Sequence, residues 1–240
     1  MKHEIIALAK QFRLSILYDG KFSVGDNLSN EEYLLELLRA EAKKRDERSA
    51  AERLKQARFP AFKSFDDFDT DFQKGISAKQ IQTLAKLEWL EELFNLILIG
   101  PPGTGKTHIA LAIGNKAAKE GYRVSFSSMD TLVHILKTRE ISNKSAVRLG
   151  WIKKCDLLII DELGYLPVTR AEANFFFSLI SELYEKTSII ITSNKGFDGW
   201  AELLGDAVLA TALLDRLTHR CQILNFSDES FRLANRKQIF

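Results

Sequence analysis

Three glycines, a lysine and a threonine share one short stretch, Gly100-Pro101-Pro102-Gly103-Thr104-Gly105-Lys106-Thr107. The spacing is G-x-x-x-x-G-K-[ST], the pattern of a loop that wraps phosphate. Glycine at 100, 103 and 105 lets backbone N–H groups turn inward, where a side chain would block an anion. Lys106 would reach the outer phosphate oxygens, and Thr107 would offer its hydroxyl to Mg2+. A second constellation closes the apolar run Cys155-Asp156-Leu157-Leu158-Ile159-Ile160 with Asp161 and Glu162. Asp161 would hold Mg2+ through water, and Glu162 would orient or deprotonate an attacking water. Two acids after a strand otherwise make a polar turn; beside a phosphate loop the chemical reading prevails. Asn194 ends another apolar run, where it would contact a terminal phosphate or the lytic water, or simply start a turn. Arg216, in Leu213-Leu214-Asp215-Arg216-Leu217, is a candidate for completing charge at a neighbouring subunit's phosphate. His108, His134 and His219 have no ligand or nucleophile partner in the sequence and read as structural.

These residues need elements to hold them. Asn95 to Ile99 is an apolar, β-branched run that predicts a strand, and an amphipathic helix follows from Lys106. The helix N-terminus then adds partial positive charge beneath the phosphates. A bare Gly-Pro turn between core strand and core helix is the bland alternative, and the fit of strand, loop and helix argues against it. Further on, strands are predicted over 122–126, 155–160, 187–194 and 221–226. Helices are predicted over 129–139, 144–152, 171–185 and 205–219. Near-continuous apolar strands suit a parallel sheet buried on both faces, and acids at their carboxyl ends lie where open α/β sheets bind ligands. The alternation predicts a three-layer α/β domain with a parallel central sheet, preceded by a small helical N-terminal domain.

That N-terminal part reads as residues 1–58, with a linker over 59–76 and the α/β domain over 77–240. One helix is predicted over Ile5–Tyr18, followed by a break at Gly20/Gly25. A longer helix begins at a Ser29 or Asn30 cap and runs to about Arg58. Its second half carries Lys43, Lys44, Arg45, Arg48, Arg53, Lys55 and Arg58 against Glu41, Asp46, Glu47 and Glu52. It is either a solvated face or a surface for the phosphates of nucleic acid. Lys137, Arg139, Lys144, Arg148, Lys153 and Lys154 form a second basic cluster with the same two readings. Phe59-Pro60 stops the long helix. In the linker, Phe65 or Phe68 would cover an adenine ring or anchor the segment to the core. A further helix is predicted over Ser77–Phe94.

With 45% hydrophobic and 28% charged residues, the chain of 240 residues has the composition of a soluble protein, and its net charge of +2 selects no partner. Cys155 and Cys221 lack metal-ligand spacing and read as reduced core thiols. No apolar run approaches the roughly 20 residues that span a bilayer, and the N-terminus lacks a signal-peptide core. The expectation is a cytoplasmic protein without a membrane partner.

Gly100–Ala110 (GPPGTGKTHIA), Cys155–Pro167 (CDLLIIDELGYLP), Tyr184–Asn194 (YEKTSIIITSN) and Gly205–Arg220 (GDAVLATALLDRLTHR) together resemble the IstB-like helper ATPases of insertion sequences, within the AAA+ group. The resemblance implies a P-loop NTPase (AAA+) fold, with Walker A at Gly100–Thr107 and Walker B at Asp161 and Glu162. It also implies sensor 1 at Asn194, a trans-acting arginine finger at Arg216 and a sensor 2 arginine at Arg232. The cofactors implied are ATP and Mg2+. The implied activity is ATP-dependent assembly of a homo-oligomer on duplex DNA, without base preference, and recruitment of a partner transposase. Relatives usually have glycine and tyrosine before the sensor 2 arginine; here Ser227-Asp228-Glu229-Ser230-Phe231 precedes Arg232. The alternative is a DnaC-like replicative helicase loader. A scaffold that hardly hydrolyses ATP would have little use for Glu162.

Overall fold

The computed structural model describes residues 2–18, 28–73, 75–165, 168–227 and 229–234. The expected break at Gly20/Gly25, the Leu166-Pro167 end of the IDELGYLP stretch and Asp228 lie outside the described residues. The chain divides into two compact units, Met1–Glu52 and Arg53–Phe240.

The first unit holds α1 (Lys2–Gln11), α2 (Ser15–Tyr18) and most of α3 (Asn30–Ala57). The helix expected over Ile5–Tyr18 is thus two helices. Arg13 breaks it with φ +55, and the buried Glu41 carboxylate accepts the Ile16 amide at 2.9 Å, anchoring the start of α2. Burial pushes the Glu41 carboxyl up, but bonds from the Ile16 amide and Arg45 outweigh it and leave the pKa lowered. Arg45 also donates to the Arg13 carbonyl at 2.8 Å. Ser29 caps α3: its hydroxyl accepts the Glu32 amide, while Glu32 reaches back to the Ser29 amide.

The second unit continues with α4 (Ala78–Ala85), α5 (Glu88–Glu91), β1 (Asn95–Ile99), α6 (Lys106–Lys119), β2 (Val124–Ser128), α7 (Met129–Thr138), α8 (Asn143–Ile152) and β3 (Leu157–Leu163). Then come α9 (Arg170–Leu183), β4 (Ser188–Ser193), α10 (Asp198–Leu204), α11 (Ala207–Thr218), β5 (Cys221–Asn225) and α12 (Phe231–Ala234). Residues 77–94 form two helices rather than one. Buried Leu87 adopts φ +63 between them, and the Trp89 indole donates to the Leu84 carbonyl at 3.1 Å, satisfying the end of α4. The segment expected as a linker contributes Gln73 and Ile76 to the interior of this unit.

All pairings in the five-stranded sheet are parallel, in the order β2-β3-β4-β1-β5. Alternate strand residues build two cores. Ile97, Leu158, Ile160 and Ile191 pack with α7 to α11, whereas Leu96, Leu98, Ile159 and Ile190 pack with α4, α6 and the end of α3. This two-sided burial explains the uninterrupted apolar strands. It also directs polar residues to the strand ends, which meet at the carboxyl edge of β1, β3 and β4.

Two arginines expected in the basic clusters are structural. Arg148 is buried, donating 2.9 Å to the carbonyls of both Gln56 and Phe126 and 3.4 Å to that of Ala57. It therefore caps the end of α3, and burial brings its pKa down to about 10. Arg53 donates 2.7 Å to the Ala118 carbonyl at the end of α6. Helix-end carbonyls need donors, and these guanidiniums provide them. Lys137 and Lys153 pair with Glu172 and Glu182.

Candidate functional site

The phosphate loop leaves β1 and enters α6, as its glycines require. Gly100 has φ +152, and a Cβ there would lie 2.0 Å from the Phe226 carbonyl oxygen, so no other residue fits. Gly105 has φ +93 and lies so close under Phe68 that a Cβ would come within 2.6 Å of its ring. Gly105 is also the N-cap of α6, and no side chain caps that end. The first-turn amides thus face the loop without an internal acceptor, as an anion site requires.

Lys106 is 8% exposed. Its ammonium donates to the Gly100 and Pro101 carbonyls at 2.7 and 2.6 Å. Thr104 supports the loop by donating to the Pro101 carbonyl at 2.9 Å. Burial lowers the Lys106 pKa; Asp161 opposes this and Arg232 adds to it. Arg232 lines the same cleft as the loop lysine, despite the altered sequence before it. The Phe231 amide donates to the Gly103 carbonyl at 3.1 Å, so the start of α12 sits on the loop.

Thr107 Oγ1 donates to Asp161 Oδ1 at 2.8 Å, bringing the loop hydroxyl and the strand-end acid together. Thr192, a residue that sequence reasoning missed, donates to the same Asp161 oxygen. Its hydroxyl also accepts the Glu162 amide at 3.0 Å. The sign was faint: a polar residue two positions before Asn194, at the end of a β-branched run. A register irregularity in β3 between Ile160 and Leu163 accommodates the two acids, and Glu162 takes φ +63. Such a conformation in a non-glycine residue costs about 1–3 kcal/mol and is concentrated at functional sites.

The remaining candidates lie apart. Glu162 is exposed and lines a hollow of about 130 Å³ with Ser128, Asp130, Tyr165 and Glu172. Exposed Asn194 lies beside Gly164, where its Oδ1 would be 3.0 Å from an added Cβ. Arg216 lies at the opposite, amino edge of the sheet, in a hollow shared with Asn95 and Thr187. It stacks over Phe177, 4.8 Å from the ring centroid, and donates to the Ala212 carbonyl.

Beside the loop, a cleft of about 410 Å³ is lined by Phe68, Gln73, Leu111 and Phe231 as well as Lys106 and Thr107. His108, which reads as structural in sequence, donates Nε2–H to the Ser64 carbonyl at 2.9 Å and meets Phe68 edge-on. Phe68 lines the cleft, and both Phe65 and Phe68 pack against the core. An uncapped helix end, a lysine held by loop carbonyls and an aromatic-walled cleft fit a nucleoside triphosphate. Thr107 and Asp161 supply the hard oxygen donors that suit Mg2+. Cys155 and Cys221 are free thiols, which burial pushes up to about 12 and about 11, outside any reactive range. Among the described residues no His, Cys, Asp and Glu cluster forms a metal site, and no helix is long and apolar enough to cross a membrane.

A family model described as IstB-like ATP binding protein matches residues 19–239. The chain belongs to this family. It is 46% identical over 211 residues to an insertion sequence IS21 ATP-binding protein of Pseudomonas aeruginosa, covering 88% of this chain and 80% of that one. Among solved structures it is similar to DnaI, with a TM-score of 0.57 and 22% identity over 72% of this chain and 93% of DnaI. It is also similar to AMPPCP-bound DnaA from Aquifex aeolicus, with a TM-score of 0.55 and 25% identity over 72% of this chain and 53% of that one. The fold is accordingly that of a P-loop AAA+ domain, preceded by a helical N-terminal region. The chain is an ATP-binding protein of the IstB type, similar in fold to DnaI and DnaA.

Proposed function

We propose that this IstB-type protein is a Mg2+-dependent ATPase that assembles as a homo-oligomer on duplex DNA and recruits a partner transposase. The observation that supports hydrolysis most strongly is the bond from Thr107 to Asp161, which readies a hydroxyl and a carboxylate for one metal. Bound there, Mg2+ would supply positive charge to the phosphate oxygens. Lys106 would leave the Gly100 and Pro101 carbonyls for the phosphates, and Arg232 would bear on them from α12. Glu162, its backbone tied to Thr192, would orient and deprotonate the attacking water, with Asn194 helping to position it. Arg216, remote from its own loop, would serve the nucleotide of an adjoining protomer.

The insertion-sequence relatives support a role in transposition. Exposed Lys43, Arg48, Lys55, Lys144 and Lys154 support phosphate contacts without base preference. Exposed Phe12 and Leu34 in the first unit support association. The test is nucleotide binding and ATP turnover, with and without duplex DNA. Lys106→Ala should abolish ATP binding. Glu162→Gln should bind ATP, hydrolyse it slowly and persist on DNA. Undiminished binding by the first or wild-type turnover by the second would refute these assignments.

A further inference from the structure

We infer that Gln73 is the residue that selects a 6-aminopurine, so that this chain takes adenine rather than guanine nucleotides by a hydrogen bond from the base amino group to Gln73 Oε1. The inference rests on the nucleotide-site reading above and deepens it.

Gln73 lines the cleft beside the phosphate loop and is 2% exposed. Its Nε2 donates to the Glu229 carbonyl at 3.1 Å. Its Oε1 is buried with no hydrogen-bond partner among the described residues. Buried acceptors are almost always paired, and an orphan calls for an explanation. Here the missing partner is a donor that enters through the cleft.

The chemistry of that donor follows from what surrounds it. Gly103, Gly105 and Lys106 define the phosphate end of the cleft, so the base occupies the remainder, walled by Phe68, Leu111 and Phe231. Such walls suit the faces of a purine and leave edge recognition to the few polar atoms. Adenine offers an amino group at position 6, whereas guanine offers a carbonyl oxygen. Gln73 cannot adapt by turning its amide over. The Glu229 carbonyl only accepts, so it holds Nε2 toward itself and keeps Oε1 as the reading atom. The Phe72–Phe231 pair, with centroids 5.3 Å apart, fastens the same two segments and fixes this orientation.

The test is calorimetric titration of the full chain, with Mg2+, using ATP, GTP and purine riboside triphosphate, which carries only hydrogen at position 6. The wild-type chain should hold ATP about tenfold tighter than either analogue, the worth of one buried neutral hydrogen bond. Gln73→Met should lose that advantage, weakening ATP about tenfold and leaving the 6-hydrogen analogue unchanged. Equal wild-type affinity for ATP and the 6-hydrogen analogue would overturn the inference, as would a variant that weakens both alike. If Gln73→Met fails to fold, the wild-type comparison decides alone. Lys106→Ala separates the two levels: unchanged ATP binding there refutes the phosphate-loop reading, and a wild-type chain that binds none of the three overturns both.

Discussion

Replacing Thr192 by valine keeps the side chain's shape and removes one hydroxyl, which joins Asp161 to the Glu162 amide. The bond to the carboxylate is charge-assisted and worth about 2 kcal/mol, and the bond from the amide adds about 1. Thr192 is 2% exposed, so water does not replace the donor to Asp161. A methyl in place of the hydroxyl returns part of the loss, leaving an expected destabilisation of about 2–3 kcal/mol. The assay is urea unfolding followed by a signal from the second unit, at neutral pH and without nucleotide. Thr192→Ser retains both hydrogen bonds and gives up only a methyl, so it should stay within about 1 kcal/mol of wild type. The same valine variant should turn over ATP more slowly than its nucleotide affinity explains, because Glu162 loses the anchor of its left-handed turn. A valine variant within about 0.5 kcal/mol of wild type would refute the bridging role, as would a serine variant as damaged as valine.

The other expectations concern charges inside the second unit. Arg148→Met should cost about 2–4 kcal/mol, since it strips donors from buried helix-end carbonyls, and should leave the salt dependence of DNA binding unchanged. Normal stability with a flatter salt response would restore Arg148 to the DNA surface. The hydrogen bond from Lys137, aided by the Thr169 amide and hydroxyl, holds the Glu172 carboxyl at about 2 instead of 4.5. A depressed carboxylate stabilises the fold above its unfolded pKa, and that contribution fades as pH falls from about 4.5 to about 2. Glu172→Gln should flatten the acid limb of the unfolding profile in that window; an unchanged slope would show the pairing to be without energetic weight. Arg216→Ala mixed with Lys106→Ala subunits should regain part of the lost turnover, and failure of every mixture would count against action between protomers.

The parts of the site readable from sequence are those set by local rules. A phosphate loop needs its glycines at fixed offsets between strand and helix, so Gly100 to Thr107 announce themselves. Strands buried on both faces show as apolar runs, which located Asp161 and Asn194 at strand ends. Glu41 and Arg148 were misleading for the opposite reason: charged residues on helices look solvated until the chain packs over them. Leu87 gave no sign that it would take a left-handed conformation and split a helix, since burial of its side chain and the Trp89 bond made that choice. Thr192 and Gln73 carry no motif, because each matters through partners 31 and 156 positions away.

The order of residues along this chain by itself determined the phosphate loop, the parallel α/β class and the identity of the acids at the strand ends. Each depends on neighbours within a turn or a strand, where covalent geometry and burial period leave few choices. Only the tertiary structure decided that Thr107 and Thr192 converge on one oxygen of Asp161, that Arg232 lines the same cleft as Lys106, and that Arg148 serves a helix end. Those outcomes depend on which strands lie side by side and which carbonyls are left without donors, and sequence separation is blind to both.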